Sequence, residues 1–503
     1  MLFNSFSFIL LFLPITLIVY FSLNNFNKER FADIFIIAMS LFFYSRFGIN
    51  VMLIMCASVV VNYLFSMLME HFNKEAQLKT LKIAGVVANL AFLFYFKYYD
   101  FFVGSAVKAL GMNYESAGII MPVGISFYTF QQMSFIIDRG RKQAKHYSFA
   151  DYALYVTFFP KLIEGPISFH EEIISQFKDK ANRVFNRDNF QKGLILFVLG
   201  LSKKVLLADN LNLIVTYGFK YTHYLDTLSV IAVMLSYTFQ IYFDFSGYCD
   251  MASGIALMMN IKLPMNFNSP YKAATVKELW QRWHMTLSRF FVKYVYIPLG
   301  GSRKGKIRTI INVLIVFILS GLWHGAGWTY ICWGLMQGLL VVWDDIGIVE
   351  VNGSSKGKYL FRQKPLIKVP RFIGQIFTFS FFVISLFFFG AKDMEYAISM
   401  FKRLFYFTYP GFFVRCASTL DIAENYILSQ AITMVAPGMT DALYIGTMVI
   451  LLIICFIVNS RKNAYEIAMT QKPTKKMAIG LSVLFIWSFI SLSQVSTFIY
   501  FQF

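Results

Sequence analysis

The sequence predicts an all-α, polytopic membrane protein, and three observations predict it. Hydrophobic residues make up 57% of the 503 positions, aromatic residues 18% and charged residues 15%, which is too apolar for an ordinary soluble domain. The apolar residues come in runs close to the roughly 20 residues that a helix needs to cross the hydrocarbon core, and not in the shorter alternating segments of a membrane β-barrel. The Lys and Arg residues behind the +19 formal charge fall in the links between runs. Positive-inside retention accounts for them there, and a nucleic-acid-binding domain does not.

The N-terminal MLFNSFSFILLFLPITLIVYF has no basic n-region and no small-residue cleavage site, so it reads as a first span and not as a removable signal peptide. The NKER that follows places that link in the cytoplasm and the N-terminus outside. Further spans are expected near 31–47, 50–70 and 81–98, and another runs from MPVGISFYTFQ into the basic RGRKQAK. YVTFFPKLIEGPISF is broken by Pro160, Glu164, Gly165 and Pro166. It is too short to cross and too polar to face lipid, so a re-entrant hairpin or a buried broken helix is the physical solution.

The amphipathic stretch beginning at His170 suits the cytoplasmic interface. Spans follow near 192–216 and 227–247, the latter leading into QIYFDFSGYCDMASG, where Asp244 and Asp250 need partners at or inside the apolar region. The run 285–299 is again short. Helices near 308–326 and 328–345 meet just after His324, and 346–371 is a charged cytoplasmic loop. Spans near 372–390, 440–459 and 476–494 follow, with an interfacial stretch around 391–437. The total is about twelve crossings, which puts both termini outside.

The chain reads as one membrane domain, 1–503, with a catalytic core over 118–345 and a C-terminal external hexapeptide at 498–503. The five cysteines have no CxxC spacing, so free thiols and no metal site are expected. There is no P-loop, dinucleotide fingerprint or HExxH pattern.

The chemistry centres on two histidines that each follow a tryptophan, His284 in WQRWHMTLSRFF and His324 in GLWHGAGWTYICWG. A neutral imidazole, which apolar burial favours, can take a proton from a hydroxyl as that oxygen attacks an acyl carbon. His324 fits such a base and equally a structural, hydrogen-bonded residue. His284, with Trp283, Arg282 and Glu278, fits a binding or oxyanion-stabilising role and equally interfacial anchoring. Asp244, Asp250 and Glu164 could orient a histidine or pair with Arg282. Tyr500 by itself reads as an interface-belt aromatic.

The motifs MPVGISFYTFQ, FFPKLIEGPI, FSGYCDMASGIA, NFNSPY, WQRWHMTLSRFF, YIPLGG and GLWHGAGWTYICWG occur in order along essentially the whole chain. Together they resemble the membrane-bound O-acyltransferase superfamily, in its bacterial branch of alginate and peptidoglycan O-acetyltransferases and teichoic-acid D-alanyl transferases. The resemblance implies a ring of tilted helices around a central funnel. His324 would be the principal catalytic histidine and His284 its partner, with Trp323 and Asn266 supporting them.

It further implies a cytoplasmic thioester donor, acetyl-CoA in this branch, with no resident cofactor. FIYFQF is similar to a terminal hexapeptide whose tyrosine, here Tyr500, would receive the acetyl group. An external serine-type, SGNH-like transferase would then pass it to a polysaccharide. The other readings are D-alanyl transfer from a carrier-protein thioester and a transporter of an acyl donor or lipid. The implied location is the bacterial inner membrane, among lipid and away from nucleic acid.

Overall fold

The computed structural model describes all residues except 73, 354–358, 409–410, 421, 495–497 and 499–503, together with the side chains of 423, 424, 437, 493 and 494. Tyr500 and most of the expected hexapeptide therefore lie outside the described residues. Among those described, the only strands are Val349–Val351 and Ile367–Val369, which pair in parallel. They fall within the expected loop 346–371. The rest of the regular structure is helical, as expected.

Seven described helices are long and apolar enough to cross a membrane: Phe8–Asn25, Ile49–Leu68, Glu75–Ala109, Thr227–Met258, Lys306–His324, Arg371–Phe389 and Thr440–Ser460. Five further expected crossings also fall on helices. These are Glu29–Ser45, Ile125–Gly140, Arg187–Lys220 through a π-helical turn, Trp328–Ile346 and Lys475–Ile490. They are either shorter or interrupted by buried polar side chains. Ile125–Gly140, for example, buries Ser126, Thr129, Gln131, Gln132, Ser134 and Asp138.

The chain divides into two compact units. The first holds Met1–Gly200 and Tyr248–Met265. Within it the Arg183 guanidinium meets the Asp33 carboxylate through two contacts of 2.6 and 3.0 Å, the bidentate geometry that suits a largely buried pair. FFPKLIEGP is a broken helix: Phe149–Thr157 starts at a Ser148/Asp151 capping box and stops at Phe158, and a single turn, Phe159–Leu162, follows. Every residue from Phe158 to Ser168 is buried, which satisfies the demand that irregular backbone avoid lipid. His170 stands here with Nε2 3.5 Å from Asp138 and Nδ1 3.1 Å from the Tyr147 hydroxyl.

The second unit holds Leu201–Gly247 and Asn266–Ile499 and carries both WH motifs. Lys306–His324 (α1) and Trp328–Ile346 (α2) form a hairpin whose turn directly follows His324. Their backbones approach so closely that a Cβ on Gly321 would run into the Tyr330 carbonyl, and one on Gly334 into the Phe317 carbonyl. Small residues at a helix contact give membrane helices the dispersion contact that lipid cannot supply. Arg371–Phe389 (α3) delivers Phe389 to the end of this hairpin that carries His324. Thr440–Ser460 exposes apolar side chains along its length, among them Ile450, Ile453 and Ile457.

Candidate active site

His284 is the N-cap of the short helix Met285–Phe291 (α4) and holds a left-handed backbone at φ 43° and ψ 50°. A non-glycine residue there costs about 1–2 kcal/mol, so other contacts must determine it. Asn266 supplies them: its carbonyl accepts from the Met285 amide at 2.9 Å. Its side-chain oxygen accepts from the Thr286 amide at 3.2 Å and the Thr286 hydroxyl at 2.8 Å, and lies 3.1 Å from His284 Nδ1.

Because an amide N–H can only donate, the Asn266 atom facing it is the oxygen. Nδ1 of His284 therefore carries the hydrogen, and in the neutral ring Nε2 keeps its lone pair. The NFN segment thus fixes both the seat and the tautomer of His284.

His284 and His324 are both buried, 0% and 2% exposed, with ring centroids 6.3 Å apart. Trp323 packs against both, at 5.5 Å from His284 and 4.9 Å from His324. Trp333 and Phe389 stand edge-on to His324 at 5.2 and 5.3 Å. Phe245 does the same to His284 at 4.9 Å. The two rings sit in an aromatic surround that withholds bulk water, where proton transfer and charge stabilisation act more strongly than in solution.

Trp283 is 2% exposed and packs on Phe267 and Phe382 at 5.1 and 5.2 Å, so it is a core residue and not an interface anchor. Arg282 bonds Glu278 through Nε at 3.1 Å and Nη2 at 3.0 Å and the Asn268 carbonyl at 3.1 Å. Arg371 reaches the same Glu278 oxygen at 2.8 Å. Burial would raise the Glu278 carboxyl, but the Ala274 amide, Arg371 and Arg282 outweigh it and hold its pKa below the usual value.

Asp244 does not pair with Arg282. It bonds Lys204, which also bonds Asp209, at 2.6 and 2.8 Å. The physical reason is local: Glu278 lies one helical turn before Arg282 and takes the guanidinium, whereas Asp244 is 2% exposed and needs a buried cation. Glu164 and Asp250 belong to the first unit, where the Glu164 carbonyl accepts from Cys249 Sγ at 3.8 Å.

Lys204, Thr286, Trp333 and Phe389 join these contacts only through the fold. Lys204 had a signal, the KK pair inside an apolar run. Phe389 had none, since it ends a featureless FFF.

The comparisons with known proteins bear on this geometry. Residues 41–347, which include both histidines and Asn266, match the model of the membrane-bound O-acyltransferase family. The chain belongs to that family. It is similar to a peptidoglycan O-acetyltransferase of Helicobacter pylori, 34% identical over 100% of this chain and 98% of the relative. It is also similar to a probable alginate O-acetylase of Pseudomonas aeruginosa, 34% identical over 81% of this chain and 75% of the relative. A teichoic acid D-alanyltransferase of Streptococcus thermophilus is 26% identical over 52% of this chain and 66% of the relative. This membrane-bound O-acyltransferase is therefore a multi-pass membrane enzyme, and the WH pair is its candidate active site.

Proposed function

We propose that this acyltransferase moves an acetyl group from a cytoplasmic thioester, acetyl-CoA, to an external acceptor on peptidoglycan or a related exopolysaccharide, from the inner membrane. The observation that carries the reading is the buried His284 and His324 pair, rings 6.3 Å apart, in a chain whose full-length relative is named a peptidoglycan O-acetyltransferase.

In the proposed step His324 is the general base. The Tyr500 phenol oxygen attacks the acetyl carbonyl carbon, a new O–C bond forms and the C–S bond breaks. The phenol proton passes to the His324 imidazole and from there to the departing thiolate. A phenol is a weak nucleophile at neutral pH, which is why a base is required. His284, held in its Nδ1–H form by Asn266, supports His324. A second transfer would pass the acetyl group to the serine of an external SGNH-like partner, which would place it on the polysaccharide with both of this chain's termini on that side.

The test uses purified enzyme with radiolabelled acetyl-CoA and no partner, comparing wild type, His324→Ala and Tyr500→Phe. Label on wild type alone is expected. Label persisting on Tyr500→Phe would move the acceptor elsewhere. Labelling that requires a carrier-protein thioester would turn the reading to D-alanyl-type transfer.

A further inference from the structure

Phe389, the last residue of α3, is 1% exposed. Its ring centroid lies 5.3 Å from His324, 4.9 Å from Trp333 and 5.3 Å from Tyr330, so it packs on the histidine and on two residues of α2 at once. The end of α3 is pinned there. A Cβ on Gly390 would stand 2.8 Å from ring carbons of both Phe219 and Tyr237. The Ala391 carbonyl accepts from the hydroxyl of Thr329, in the first turn of α2, at 3.5 Å. The Phe389 ring is therefore carried on backbone held between α2 and two further aromatic rings, and in so dense an interior a wall of this kind does not yield without strain.

A general base must come within hydrogen-bond reach of the hydroxyl it deprotonates, and that oxygen must stand about 3–3.5 Å from the acyl carbon. The acyl carbon therefore lies within about 6 Å of the His324 imidazole. The centroids of Trp323, Trp333 and Phe389, at 4.9, 5.2 and 5.3 Å from that ring, are no farther away. Whatever is attached to the acyl carbon has to fit against them. Trp323 also packs on His284, and Trp333 on Trp280 at 5.7 Å. Of the three, Phe389 is the one that comes from outside the α1/α2 hairpin.

We infer that Phe389 is a specificity-determining residue that limits the acyl group to two carbons, its ring filling the space beside His324 that a longer chain would need. The inference rests on the proposed role of His324 as base. In that step the acceptor oxygen bonds to the acyl carbon, the C–S bond breaks, and the proton taken by His324 goes to the departing thiolate. The acyl tail has no part in the chemistry and is sorted by fit alone. One added methylene in an apolar site changes kcat/KM by about 10–200-fold. Cutting a buried phenyl ring back leaves an apolar cavity that an alkyl chain can enter.

The experiment reads the ratio between donors. Full-length enzyme in proteoliposomes receives acetyl-, propionyl- or butyryl-CoA, and the second-order rate constant for thiol release is measured for each. Wild type should favour acetyl over butyryl by about 100-fold or more. Phe389→Ala should raise the butyryl-to-acetyl ratio by about tenfold or more, and Phe389→Leu, which opens less space, should raise it by a smaller factor. Phe379→Leu, on the same helix among Phe239, Tyr271 and Phe456, should leave the ratio within about twofold of wild type. Partial unfolding lowers the three rates together and does not move their ratio.

A ratio within about twofold of wild type in both Phe389 variants overturns the inference. So does a parallel fall for every donor in both, or a wild type that takes butyryl as readily as acetyl. The base reading fails on a different variant, through thiol release that survives in His324→Ala.

Discussion

His284 and His324 stand with their ring centroids 6.3 Å apart and the Trp323 indole against both, although one caps a short helix after a loop and the other ends a long membrane helix. Their surroundings differ. Asn266 dictates the tautomer of His284, whereas His324 is bounded by the Trp323, Trp333 and Phe389 rings. In the proposed reading His284 is the supporting imidazole and His324 the one that exchanges a proton.

Removal of His324 should therefore cost most. His324→Ala is expected to lower acetyl transfer at least about 100-fold, the usual worth of a general base. Acetylated polysaccharide would be quantified at matched membrane levels. Full activity in that variant would end the base assignment.

Asn266 accepts from three donors through one oxygen, so Asn266→Ala should reduce activity about 10–100-fold, as loss of a ligand-orienting partner commonly does. Thr286→Val, which removes only one of those donors, should fall well short of that. Equal losses in the two variants would show that Asn266 acts by holding α4 and not by orienting His284.

The α1/α2 contact can be tested by stability. Gly334→Ala forces a methyl against the Phe317 carbonyl and should destabilise by about 1–3 kcal/mol, the range for overpacking. A lowered thermal midpoint in detergent is expected, with activity lost in parallel because α1 ends on His324. An unchanged midpoint would show that the two helices separate at little cost.

Glu278 gives a pH prediction. Its carboxyl is held below its ordinary pKa, so its ion pairs stabilise the fold above about pH 4.3 and are lost as pH falls through the lower folded-state value. Glu278→Gln should accordingly lower thermal stability at pH 7, and the gap to wild type should close on acidification. A gap that does not narrow at all on acidification down to acid unfolding would mean that the Arg282 and Arg371 contacts contribute nothing through charge.

Much of this protein was legible before any coordinates. Apolar run length and basic links determined the helical membrane class, because lipid leaves a chain no other way to satisfy its backbone. The breakers Pro160, Gly165 and Pro166 marked a buried, broken helix for the same reason. A histidine inside an apolar run marked His324 as a site candidate, since a polar side chain there needs a reason to remain. The WH motifs named the second histidine.

Tertiary structure decided the partners. Which cation meets Asp244, and which carboxylate meets Arg282, depends on distances between segments far apart in the chain. Periodicity cannot carry that information: Lys204 and Glu278 were equally visible as charges, and only the packed helices show which charge each one faces. Phe389 joined the aromatic surround of His324 through packing alone, because one phenylalanine in an apolar run is chemically the same as its neighbours until the fold brings one of them to the site.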